Sequence, residues 1–153
     1  MAKIKDIKKK YIEIDRLHFQ YIPDEFLKEV YPGPEEEMMN LVNSPHYRFL
    51  KLYEKIGTEI WKFYEETDYV KLMKFWGRDD KYNRDKVTKF IKTYKSIRKQ
   101  GLQKRIILLD KPMYKQFFKE GYEIYHGHHR AVICKFLGIK KVPCTISKLL
   151  KCK

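Results

Sequence analysis

The sequence predicts an α+β fold: a small mixed sheet with helices packed on it and a helical insertion at about residues 35–82. Three observations lead there. Apolar residues recur at helical spacing over 84–100. Short apolar runs at 11–15, 105–109, 122–125 and 142–147 read as strands. Helices and strands alternate along the chain rather than segregating into halves. The length, 153 residues, is that of one domain, and about two thirds of the unfolded surface can be buried at this size. With 43% hydrophobic and 35% charged residues, the composition is that of a folded chain and not a disordered tail.

Residues 1–10 are a Lys-rich segment expected to be a mobile arm. Tyr11 to Asp15 alternates and predicts a short strand. Pro23 and Tyr31-Pro32-Gly33-Pro34 break the chain. Residues 35–43, acidic and then apolar, suit a short helix. Ser44-Pro45 is a helix start, because Ser caps free N–H groups and Pro fits the first helical position. Phe49, Leu50, Tyr53, Ile56, Ile60, Trp61 and Tyr64 then share one helical face, predicting a helix to Tyr64. A shorter aromatic helix over 68–76 closes at Gly77.

The clearest helix spans 84–100. Val87, Phe90, Ile91, Tyr94 and Ile97 line one face, and Lys86, Lys89, Lys92, Lys95, Arg98 and Lys99 occupy the rest. Gly101 stops it as a left-handed cap. Arg105 to Leu109 is a strand, Asp110-Lys111-Pro112 a turn, and Tyr122 to Tyr125 a second strand. Residues 131–137 form a buried helix ended by Gly138. Val142 to Ser147 is the last strand, and 148–153 a basic tail. The sequence holds no repeat and no low-complexity linker.

Charge narrows the partners. Lys+Arg is 34 against 20 Asp+Glu, a net charge of +14, which attracts polyanions. Of the 34 basic residues, 27 are Lys and 7 Arg, whereas bidentate recognition of phosphate or guanine favours Arg. The Lys excess is equally a product of compositional bias. No apolar run approaches the ~20 residues of a membrane span, and the charged N-terminus lacks a secretory apolar stretch, so no membrane association and a cytoplasmic location are expected. The three cysteines form no C-x-x-C pair, which excludes a zinc knuckle and a thioredoxin-type motif. Cys134 and Cys144 read as buried thiols. No Walker loop, nucleophile elbow, HExxH or EF-hand sequence occurs.

The sharpest feature is a strand, then His126-Gly127-His128-His129-Arg130, then a helix. A strand entering a helix through glycine leaves backbone N–H groups free at the helix start, where they and the helix dipole hold an anion. Glycine lets phosphate approach the backbone. Arg130 adds a planar fork of donors. His128 or His129 can donate a hydrogen bond or move a proton near neutral pH. The plainer reading is a polar turn whose histidines cap the helix. A transition metal on His126, His128 and His129 is a further reading, but it needs a fourth ligand from Cys144, His18 or His46. His46 reads as an ordinary residue of a helix start. The basic face of 84–100 suits a nucleic-acid backbone or, more simply, a solvated surface. Trp61 and Tyr64 read as core or as a lid.

Residues 84–147 resemble the ParB/sulfiredoxin superfamily. The shared order is a helix ending at Gly101, the strand Ile106 to Leu109, the strand Tyr122 to Tyr125, the box Gly127-His128-His129-Arg130, the helix Ala131 to Gly138, and Val142-Pro143. Tyr11 to Pro23 resembles the family's first strand and the proline segment after it. The resemblance implies a site for a nucleotide, ATP, ADP or CTP, with Mg²⁺. Its phosphates would lie on His126, Gly127, His128, His129, Arg130 and Ala131. Sulfiredoxins carry a reactive Cys where this chain has His128, so sulfinic-acid repair is not expected. ParB proteins carry Gly-Glu-Arg-Arg and continue into a helix-turn-helix domain, for which this chain ends too early. The archaeal free-serine kinases carry Asp-Gly-His-His-Arg, the nearest box, although His126 stands in place of their Asp. An acidic residue follows a similar proline in those kinases, which points to Asp24 or Glu25 here. The expectation is a nucleotide-phosphate-binding protein and, as an enzyme, an NTPase or small-molecule phosphotransferase with His128, His129 and Glu25 as catalytic residues. The alternative is a non-enzymatic DNA-binding protein using Lys86 to Lys99 and both tails.

Overall fold

The computed structural model describes residues 3–19, 25–26, 33, 37, 39–113 and 120–150. Strand β1 (Lys3–Glu13) is followed by a 3-10 turn (Ile14–Arg16) and β2 (Leu17–His18). A 3-10 turn at Leu41–Asn43 leads into helix α1 (Pro45–Ile56), and two more 3-10 turns lead into α2 (Asp68–Phe75). Then come α3 (Asp80–Gln100), β3 (Ile106–Leu109), β4 (Tyr122–His126), α4 (His128–Phe136) and β5 (Lys141–Leu150). The class is α+β, as the sequence predicts. The strands form one mixed sheet in the order β1-β5-β3-β4-β2. β1/β5 and β3/β4 are antiparallel, and β3/β5 and β2/β4 are parallel.

One contiguous core explains why these segments hold together. Ala131, Val132, Ile133 and Cys134 of α4 are fully buried, as are Ile106 and Leu108 of β3 and Val142 and Cys144 of β5. Val87, Phe90, Ile91, Tyr94 and Ile97 of α3 join the same core, with Phe49 and Leu50 of α1 and Tyr69 and Leu72 of α2. The insertion is thus packed into the core through the aromatic stripes that its helical spacing creates. The two thiols lie inside, where burial pushes Cys134 up to about 11 and Cys144 up to about 12. No described helix is long and apolar enough to cross a membrane.

The helix boundaries follow local chemistry. The Ser44 hydroxyl accepts from the Tyr47 amide at 3.1 Å and donates to the Leu41 carbonyl at 2.7 Å, with Pro45 at the first helical position. α1 stops at Ile56 rather than Tyr64. Gly57 enters the left-handed region at φ 60°, and the chain continues as 3-10 turns that still bury Ile60 and Tyr64. α3 begins at Asp80, earlier than its apolar stripe suggests, because the Asp79 carboxylate accepts from the Tyr82 amide at 2.8 Å. Gly101, at φ 78°, ends it as expected.

Two expectations at the termini are overturned. Residues 3–10 are a strand and not a mobile arm, and 148–150 belong to β5 and not to a tail. β1 pairs with β5 from Lys3 opposite Leu150 to Glu13 opposite Lys141. Only Ile12 of β1 is buried, so the alternation read at 11–15 marks only the strand's end at Tyr11–Glu13, and Ile14 and Asp15 fall in the 3-10 turn that follows. The backbone ladder holds β1, and its lysines blunt the outer edge against pairing with another chain. Pro23 and Tyr31, Pro32 and Pro34 lie outside the described residues, as do Asp24 and Cys152.

Candidate phosphate-binding site

β4 delivers the chain to Gly127, which turns it directly into α4. Gly127 sits at φ 101°, a left-handed conformation that other residues adopt only with strain. The first intrahelical bond runs from the Ala131 amide to the Gly127 carbonyl at 2.8 Å. The amides of His128, His129 and Arg130 precede that bond, and no side chain caps them. α4 therefore begins at His128, three residues earlier than its apolar run, and the last three residues of the box are its first turn.

Arg130 reaches back across this turn. A Cβ on Gly127 would stand 3.1 Å from its Nη2 and 3.2 Å from its Nε, so the guanidinium lies directly over the glycine. The side chain is about half-buried, and that burial pulls its pKa below the ordinary guanidinium value. Among the described residues no carboxylate pairs with it. A desolvated cation without an anion is costly.

The turn opens onto a cleft of about 680 Å³ against α3. Lys86, Lys89, Lys92, Lys104 and Arg130 bring five cations to its lining, and Phe90, Ile97 and Leu102 give it apolar surface. Among the described residues that line it, none is a carboxylate. A concave surface carrying one sign of charge concentrates counter-ions. The lysine face of α3, more simply read from sequence as a solvated surface, therefore forms one wall of the same cleft as the box.

The histidines are placed differently from their sequence expectation. The His128 ring packs on Phe19 with centroids 4.8 Å apart, its Nε2 has no partner, and the residue does not line the cleft. His129 does line the cleft, but its Nε2 is 2.8 Å from the Tyr69 hydroxyl. His46 joins them, 4.9 Å from His129 and 4.5 Å from Tyr69, with Nδ1 unpartnered. Burial, with smaller contributions from neighbouring positive charge, lowers His128 to about 3 and His129 to about 4, and holds His46 well below the imidazole range. All three are neutral near pH 7. His128 cannot orient an acceptor in the cleft, because its ring is enclosed by aromatic packing that α1 and the chain after β2 supply.

The remaining sequence candidates separate. His126 is exposed, with its ring edge-on to Tyr125 at 4.5 Å, and does not line the cleft. Ala131 is fully buried and its amide is already engaged within the helix, so it offers no donor to an anion. Glu25 is exposed and absent from the cleft wall, and the neighbouring Phe26 packs toward Phe75 of α2. His18 Nε2 lies 2.8 Å from the Glu120 carbonyl rather than facing the box. Among the described residues, no three His, Cys, Asp or Glu side chains converge on a metal position. These donors do not fit Mg²⁺, which takes carboxylate oxygens, nor a site on the three histidines of the box.

Tyr69 and Lys104 are site neighbours that sequence reasoning missed, and His46, read as an ordinary helix-start residue, is a third neighbour of the site. One signal was present for His46. The Ser44 cap puts it on the same helical stripe as Phe49 and Leu50, three and four residues on. No family model matches this chain, and no curated protein or solved structure matches it.

Proposed function

We propose that this protein binds the phosphate groups of a nucleotide in the cleft between α3 and the turn Gly127–Arg130, in the manner of a ParB/sulfiredoxin-type site. The observation that carries the reading is Arg130: a half-buried guanidinium over Gly127, with no described carboxylate beside it. A phosphate there would supply the missing anion and accept from the planar fork. Lys86 and Lys89 stand on the facing wall, and the uncapped amides of α4 add donors. The roles narrow to Gly127 and Arg130, with the backbone of His129. Phosphoryl transfer or hydrolysis would need a strong base, whereas the described lining offers no carboxylate and only His129, lowered to about 4 with its Nε2 at the Tyr69 hydroxyl, so binding is the activity this geometry supports best.

The test is calorimetric titration of ATP, ADP, CTP and inorganic tripolyphosphate into the wild type and Arg130→Ala. We expect binding by the wild type and a loss of at least about tenfold in the variant, the usual scale for one charge-assisted pair. Equal binding by both proteins would remove Arg130 from the site and end the proposal.

A second reading is DNA binding. The exposed lysines of α3 and the lysine-bearing β1 favour it. Duplex affinity measured against salt decides this case: several released counter-ions give a steep slope, and a flat, weak response dismisses it.

A further inference from the structure

The cleft is not uniform along its length. At one end, Phe90 and His129 are in ring contact at 4.8 Å, which places residues 86–90 of α3 beside the turn. Lys86, Lys89 and Arg130 gather there, and Lys86 lies near enough to His129 to disfavour a further positive charge on it. At the other end apolar and small residues join the lining, beside Gln103 and Lys104. Ile97 and the half-buried Leu102 provide aliphatic surface, Thr93 and Ser96 are short, and the space where Gly101 would carry a Cβ is open. From residue 90 to residue 101 the helix rises ~16 Å. That is the reach from terminal phosphate to base in an extended nucleoside polyphosphate.

We infer that a nucleotide lies along α3 in one direction, with its phosphates at Arg130 and Lys86 and its base on Ile97 and Leu102 beside Gly101. This rests on the phosphate-binding reading above and adds the base subsite. A bare phosphate chain would leave the aliphatic end wet, whereas a base covers it and releases that water. The opposite end offers a competing surface in Tyr82. Its ring already carries the Arg78 guanidinium at 4.9 Å and the Lys86 ammonium at 5.6 Å from its centroid.

The experiment compares ATP with inorganic tripolyphosphate on the wild type, Ser96→Trp and Leu102→Ala, with Tyr82→Leu as the control for the other end. Ser96 is exposed, so a bulky residue there can fill the base subsite without entering the core. The expected result is at least about a tenfold loss of ATP affinity in Ser96→Trp and about fivefold in Leu102→Ala. Tripolyphosphate binding stays within about twofold, and Tyr82→Leu changes neither. A parallel loss of ATP and tripolyphosphate would put phosphates at the Leu102 end and overturn the orientation. So would ATP affinity that responds only to Tyr82→Leu, or to none of the three. If tripolyphosphate fails to bind the wild type, or binds Arg130→Ala equally well, the phosphate site itself is wrong and both readings fall.

Discussion

The guanidinium of Arg130 lies over Gly127 so closely that a methyl group on the glycine would stand 3.1 Å from Nη2. Backbone conformation demands glycine here, and a side chain would in addition make the guanidinium give by a few tenths of an ångström. Gly127→Ala is expected to destabilise the fold by about 1–2 kcal/mol, because φ 101° strains an L-residue. It also displaces the guanidinium, so tripolyphosphate affinity falls with it. Denaturant melts paired with calorimetry check this. A variant that loses stability yet binds at full strength would show that Arg130 does not need its place over the turn.

Arg130 itself separates function from stability. Replacing a half-buried, unpaired cation with an apolar residue of similar length removes a desolvation cost. Arg130→Met should keep or raise the melting temperature while losing phosphate binding. A marked fall in stability would mean that the guanidinium serves the fold and not a ligand.

The buried histidines predict acid sensitivity. His128, His129 and His46 all titrate lower in the folded chain than the ordinary 6.5. Between about pH 4 and 6.5 the unfolded chain therefore binds more protons, and stability rises with pH across that window. It is complete above the unfolded value and drains away as pH falls toward the folded ones. Each histidine adds up to ~1.4 kcal/mol per pH unit. His46→Phe leaves an aromatic ring among Phe19, Tyr69 and Phe90 and removes the unpartnered Nδ1. It should keep stability at pH 7.5 and flatten the acid slope. An unchanged slope would mean that His46 is not shut away from protons.

At the sheet edge, Lys5 of β1 stands opposite Lys148 of β5. Like charges in direct register oppose pairing, and an opposite pair supports it. Lys5→Glu should raise the melting temperature by about 1–3 °C at low salt, an effect that shrinks at high salt. No change at low salt would indicate that the two ammonium groups splay into solvent.

How far the sequence could be read depended on what each feature leaves in the chain. The stripe Val87, Phe90, Ile91, Tyr94 and Ile97, the Ser44-Pro45 start and the stop at Gly101 are local signals, and each produced the element it predicts. The turn at Gly127 was equally legible, because a left-handed residue between strand and helix calls for glycine. β1 was legible only at Tyr11–Glu13, since over residues 3–10 a strand held by its backbone ladder buries no residue and shows no alternation.

The site divides along the same line. The sequence by itself determined a glycine turn from strand into helix with Arg130 in the first helical turn, because glycine, amides and guanidinium are neighbours along the chain. Tertiary structure decided which side chains face the cleft. Packing of α1 and α2 drew His128, His129 and His46 into an aromatic enclosure, and packing of α3 brought Lys86 and Lys89 across from Arg130. Those choices depend on contacts between residues tens of positions apart, which local spacing does not encode.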